Sequence, residues 1–386
     1  MRRLLALLLT FGVGISAAPG ELRQAHSLSF SQSPAPTDKS ASTGEFARLI
    51  ERLSEPGGYF DTDNLISNEA SYLHVLGRLR KMNVEGGAYV GVGPDQNFSY
   101  IAQIRPRIAY IIDIRRDNLI EHLLFKALFS LSRNRIEYLC NLTARSVAPQ
   151  SDKWRDRTIA DLVAHVDSVT GDRERFNAIN SAVLGKVKMF GVALTDTERD
   201  TLVKIHQAFF ESGLDLRFTS RGRPSRFYYP TFRDLLLEKD LTGKQSNYLA
   251  SEDGFQFLKE LEASNLVVPV VGDFAGDRAL RAIGRDITER GLKVSAFYTS
   301  NVEFYLMREG IFDRWVENLK RLPIEPKSVI IRSYFSGSFG QPHPQTVNGY
   351  YSTQLLQTIE SLLREHAAGG YETYSDLVTK QTLDLR

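Results

Sequence analysis

Five short apolar runs, each stopped by glycine or small polar residues, constrain this chain most. The first occupies 88–92 and breaks at Gly91-Val92-Gly93-Pro94, after which helix-forming residues begin near 95. The second, 108–113, ends on the carboxylate of Asp113, twenty residues beyond Gly93. The others run over 266–271, 292–298 and 327–332. Helical patterns fall between them, near 95–103 and over 117–131, 277–290 and 301–319, the last broken at Gly310. Apolar strands alternating with helices predict a doubly wound, mostly parallel, Rossmann-like α/β sheet. Helices over 44–53 and 67–81, joined by a loop at 55–64, precede the first strand, and a late amphipathic helix is expected over 352–365. The stretch 132–262 shows helical and polar patterning without convincing strands. It reads as a helical insertion into a domain spanning 45–386, and no internal repeat is visible.

In sheets of this kind ligands sit beyond the carboxyl ends of the strands. The candidate binding residues are therefore Gly91, Gly93, Pro94, Asp95, Gln96 and Asn97 after the first strand, and Asp113 and Arg115 after the second. Asp273 and Phe274 follow the third, and Ser300 and Asn301 the fourth. Glycine lets backbone approach a ligand, a new helix offers free N–H groups, and an acid accepts from ribose hydroxyls. Each position has a plainer alternative. Asp113 caps the following helix, Asp273 opens a turn closed by Gly276, and Arg115 and Arg116 are either solvated or contact a phosphate. Asn68 and Glu69 read as the start of a helix, and Glu303 as a first-turn acid favoured by the helix dipole.

This ordering of strand ends resembles the Rossmann-like S-adenosylmethionine-dependent methyltransferases. The resemblance implies a glycine loop at Gly91 and Gly93, a ribose-binding acid at Asp113, an adenine-contacting acid at Asp273 and a substrate-side end at Ser300 and Asn301. The chain departs from that pattern where Val90 replaces the acid before the loop and where Pro94-Asp95-Gln96-Asn97 lacks a third glycine. The stretches Ser54–Glu69, Gly91–Phe98, Asp113–Asn118 and Val271–Gly276 also resemble a family of uncharacterised bacterial proteins with leptospiral members. The first likeness implies an adenosine-type small molecule such as S-adenosylmethionine as cofactor and methyl transfer as the reaction; the second implies a methyltransferase-like fold with no established reaction. A dinucleotide, NAD(P), is the alternative cofactor, with a 2′-phosphate suited to Arg115 and Arg116. An exported, non-catalytic binding or scaffold protein on the same fold is the alternative function.

The insertion holds five arginines interleaved with five aromatics over 217–233. Arginine forks suit carboxylates and phosphates, and rings offer stacking surfaces. Arg221, Arg223, Arg226 and Tyr228 are thus candidate contacts for an anionic substrate, together with His343 after the fifth strand; an exposed loop with rings packed on the main domain is the alternative. A formal net charge of +2 gives no support for nucleic-acid binding. The seven histidines show no zinc-binding spacing, and neither a nucleophile elbow nor a P-loop is present. The single cysteine, Cys140, lies in an apolar helical pattern and reads as a buried structural thiol. Residues 1–18 have the basic start and short apolar core of a signal peptide, too short for a membrane span, and 19–44 have the composition of a flexible linker. Export to the periplasm is expected, with a cytoplasmic chain carrying an uncleaved tail as the alternative.

Overall fold

A computed structural model describes residues 43–220, 226–336 and 342–386. The signal-like segment, nearly all of the linker-like stretch, Arg221 and Arg223 lie outside the described residues. Six strands form one sheet: β1 (Ala88–Gly91), β2 (Ile108–Asp113), β3 (Val267–Val271), β4 (Val294–Ser300), β5 (Ile324–Phe335) and β6 (Ser352–Thr358). Their order is β3-β2-β1-β4-β5-β6. The first five pair in parallel and β6 runs antiparallel along β5. The fold is thus α/β, mostly parallel and Rossmann-like.

Every residue of β1, β2 and β3 is buried, as strands covered on both faces must be. Pro269 interrupts β3, which tolerates a residue without an N–H because it lies at the sheet edge. The chain lays β2 and β3 to one side of β1 and then returns to place β4 on the other. That reversal between β1 and β4 is the point where such sheets open a crevice.

The helices preceding and following the first strands are α1 (Thr43–Leu53), α2 (Leu76–Lys81), α3 (Gln96–Ile104) and α4 (Arg116–Leu131). Between α4 and β3 come α5 (Arg135–Leu142), α6 (Ile159–Ser168), α7 (Arg173–Met189), α8 (Asp196–Ser212), α9 (Phe232–Leu237) and α10 (Glu252–Ala263). Helix α4 contacts α7, α8 and β3, so residues 118–129 are all buried. Its polar residues Asn118, Glu121, His122 and Lys126 are enclosed with the rest, where a surface helix would turn them to water. Cys140 on α5 is buried, and its thiol is pushed up to about 12 by that burial. Beyond β3 lie α11 (Ala279–Glu289), α12 (Val302–Arg308), α13 (Phe312–Leu319), α14 (Ile359–Ala367) and α15 (Tyr374–Thr379). Gly310, with φ 71°, separates α12 from α13. No described helix is long and apolar enough to cross a membrane.

Two expectations are corrected. Residues 352–358 form strand β6, and helix begins only at Ile359, where the Thr358 side chain accepts from the Ser361 amide. Leu355, Leu356, Ile359 and Leu362 recur at helical spacing, but Ser352, Gln354 and Gln357 are buried and bonded, which a solvated helix face would not require. The predicted helix over 67–81 shrinks to Leu76–Lys81. Upstream of it, the Ser71 amide and hydroxyl are spent on Ser352 of β6, and Glu69 turns inward.

Candidate functional site

A cavity of about 620 Å³ opens at the carboxyl edge of the sheet. Its walls come from the ends of β1 to β5, from the loop 59–69 and from the insertion. Of the residues singled out in the sequence, Gly93, Pro94, Gln96, Asp113, Arg115, Asp273, Phe274, Ser300, Asn301 and Arg226 line it.

Gly91, Asp95 and Asn97 do not line this cavity. Asn97 holds the turn from within: its amide donates to the carbonyls of Val92 and Pro94 at 2.9 and 2.8 Å, while the Tyr89 hydroxyl donates to its Oδ1 at 2.8 Å. A Cβ on Gly91 would lie 2.0 Å from that Oδ1, so glycine is needed there for the tie and not for a ligand. Gly93 takes φ 85°, a backbone region that glycine enters without penalty. Asp95 is buried and accepts from the Tyr248 hydroxyl at 2.9 Å; burial pushes its carboxyl up to about 7.

Asp113 and Arg115 pair with each other. Arg115 donates from its backbone amide and Nε to Asp113 Oδ1, at 2.9 and 3.0 Å, and from Nη2 to Oδ2 at 2.8 Å. Its Nη1 reaches the Asp63 carbonyl at 2.7 Å, so one guanidinium ties the end of β2 to the loop before α2. Arg116 pairs with Glu198 of α8 at 2.8 Å. A carboxylate offers about four acceptor positions, and this arrangement leaves one on Oδ2. Asp273 accepts the Ala275 amide at 2.9 Å and so does open a turn. Its own amide donates to Glu55, whose carboxylate also accepts from Arg278 and Ala279 at the start of α11. A Cβ on Gly276 would meet Glu55 Oε1 at 2.2 Å. The Glu55-Pro56-Gly57-Gly58 signature therefore braces the ends of β2 and β3.

The insertion supplies Phe218, Ser220, Arg226 and Tyr229 to the lining. Thr219 is fastened to Asp63 through amide and hydroxyl, which brings this segment onto the loop before α2. Arg226 lies over the rings of Tyr228 and Tyr229 and bonds the Tyr228 hydroxyl. No carboxylate among the described residues pairs with it. Tyr228 packs on Tyr351 at 4.4 Å and stays outside the lining. His343 is also outside: its Nε2 bonds the Val378 carbonyl at 3.0 Å and its Nδ1 accepts the Gln345 amide at 3.1 Å. A histidine with both nitrogens engaged by backbone is structural, and burial lowers its pKa.

The residue that sequence reasoning missed is Glu69. It does not start a helix; it is 1% exposed and lies in the cavity wall. Gln96 Nε2, the Tyr298 hydroxyl and Gln354 Nε2 donate to its Oε2 at 2.9, 2.8 and 2.7 Å, and the Ser300 hydroxyl donates to Oε1. Ser300 adopts φ 52°, a strained conformation for a residue with a Cβ, which β4 carries into the cavity wall. Glu303 likewise exceeds its expected role. It forms a fully buried ion pair with Arg332 of β5, at 3.0 Å. Among the described residues no group of three or more His, Cys, Asp or Glu side chains is placed to hold a metal.

Fold and site together define an α/β protein with a ligand-sized cavity at its strand-order reversal. The chain belongs to the family described as a domain of unknown function, DUF7790, which matches residues 65–159 and 220–384. The matched residues include both β1 and β2, the strands β3 to β6, Glu69 and Arg226. No curated protein matches the chain.

Proposed function

We propose that the cavity binds an adenosine-containing small molecule, S-adenosylmethionine in the first instance, and that the chain transfers its methyl group. The observation that carries this reading is the convergence on one cavity of Gly93-Pro94, Asp113 and Asp273-Phe274, from three adjacent strand ends. The acceptor position left on Asp113 Oδ2 suits a ribose hydroxyl. Phe274, a buried ring beside Asp273, suits a base that offers both a flat face and an exocyclic amine. S-adenosylmethionine, when bound, supplies an electrophilic methyl group. The protein's task is then to exclude water and hold an acceptor in line, which needs positioning more than a dedicated base. A dinucleotide is less well served, because the Arg115 guanidinium is already committed to Asp113 and to loop carbonyls.

A second reading, a binding protein without a reaction, draws on that same commitment: the most polar side chains of the β2 end satisfy one another. Calorimetric titration with S-adenosylmethionine, S-adenosylhomocysteine and NAD⁺ separates these readings. Micromolar binding of the two adenosyl ligands, weakened about tenfold in Asp113→Asn, is expected if a charge-assisted hydrogen bond to ribose is lost. Absence of heat with all three ligands would sink the adenosine assignment. Adenosyl binding without methyl transfer to any added acceptor would favour the second reading.

A further inference from the structure

Glu69 is a buried carboxylate that forms no ion pair with any lysine, arginine or histidine among the described residues. Removing a carboxylate from water without a cation is costly, and hydrogen bonds offset only part of that cost. The groups around it sharpen the imbalance. Gln96 and Gln354 both point their Nε2 at Glu69 Oε2, and both of their Oε1 atoms are buried with no donor in reach. Neither amide gains by turning over. Gln96 Nε2 also bonds the Tyr298 hydroxyl at 2.6 Å, and Gln354 Nε2 the Ser333 hydroxyl at 2.7 Å, so a flip would set each oxygen against the carboxylate. The Glu69 Oε1 atom accepts one hydroxyl and keeps a further acceptor position. Acceptors are in excess, donors are exhausted, and the charge is uncompensated. Glu69, Gln96, Tyr298 and Ser300 all line the cavity, so the missing partner has a route in.

We infer that the Glu69 end of the cavity is a subsite for a positively charged nitrogen, an alkylammonium group carried by the substrate. An ammonium supplies three donors and one positive charge, which is what this wall lacks. A neutral hydroxyl would satisfy one acceptor and leave the charge bare. A carboxylate would be repelled. The subsite stands on the geometry alone; that the amine is also the methyl acceptor rests on the methyltransferase reading above.

Ligand-observed NMR titration of the full chain with butylammonium, butanol and butyrate tests it, in the wild type and in Glu69→Gln. Butylammonium is expected to bind about tenfold or more tightly than butanol, with butyrate silent, and to lose that preference in Glu69→Gln, where shape is kept and charge removed. Equal binding of amine and alcohol by the wild type would overturn the inference, since a wall satisfied by ordered water has no reason to discriminate. Retention of the amine preference by Glu69→Gln would overturn it as well. If circular dichroism shows that Glu69→Gln does not fold, the wild-type comparison decides alone. S-adenosylhomocysteine titrated into the same samples reports on the cofactor reading separately, so failure of one leaves the other standing.

Discussion

Asp95 shows how much the fate of one side chain depends on what covers it. Its sequence position, just after a glycine turn, suits a ligand contact, yet the insertion brings Tyr248 over it and makes it a buried carboxyl. With its pKa pushed up to about 7, the folded chain holds a proton that the unfolded chain releases near pH 4. Between about pH 4 and about pH 7 the unfolded state therefore binds fewer protons, and this group's contribution to stability falls as pH rises. His122 and His206, lowered by burial to about 4, act in the opposite sense and add stability as pH rises from about 4 to about 6.5. Asp95→Asn removes only the first slope. It should melt with the wild type near pH 4.5 and above it near pH 8, by on the order of 3 kcal/mol. Thermal melts at the two pH values check this; a variant less stable than wild type near pH 8 would count against it. Glu69 is the converse case. Its partners lie 27, 229, 231 and 285 residues away, so no local spacing announces them. Only its place within the Ser54-to-Glu69 signature offered a hint.

At the scale of elements, the parallel core was legible because β1 to β5 are short, apolar and punctuated, and because Gly310 marks a true helix break. Strand β6 was not, since Leu355, Leu356 and Ile359 fit a helical period equally well, and what makes the segment a strand is its pairing with β5 from Val329 to Phe335. Strand β5 also carries Arg332, the ion-pair partner of Glu303 on α12, and Arg332 donates as well to Gln357 on β6 and to the Leu377 carbonyl of α15. One guanidinium thus joins α12, β5, β6 and α15. Breaking a buried pair by deleting one partner leaves a bare charge, so Glu303→Gln should cost about 3–5 kcal/mol in urea denaturation. The double change Glu303→Leu with Arg332→Met should cost less than Glu303→Gln alone, because no charge is then stranded. A double variant that is the weaker of the two would refute that account.

At the scale of the molecule, the cavity is an assembly of distant pieces held by a few ties. Glu55 braces the start of α11, Arg115 ties β2 to the loop before α2, and Asp63 fastens the insertion to that loop. Glu55→Ala strands three amides at the β3 end, those of Asp273, Arg278 and Ala279. It should lower stability by about 2 kcal/mol and speed amide exchange over 273–279, with little change around Glu69. Exchange that rises equally across the whole sheet would argue against a local brace.

The lining of the cavity runs from Tyr59 to Tyr351, and the Gln354 amide that steadies Glu69 comes from the last strand of the sheet. A nascent chain released only as far as β5 therefore has an unfinished pocket, however well its first five strands have paired. The wall around Glu69 is complete only in a chain whose last strand has been made and paired.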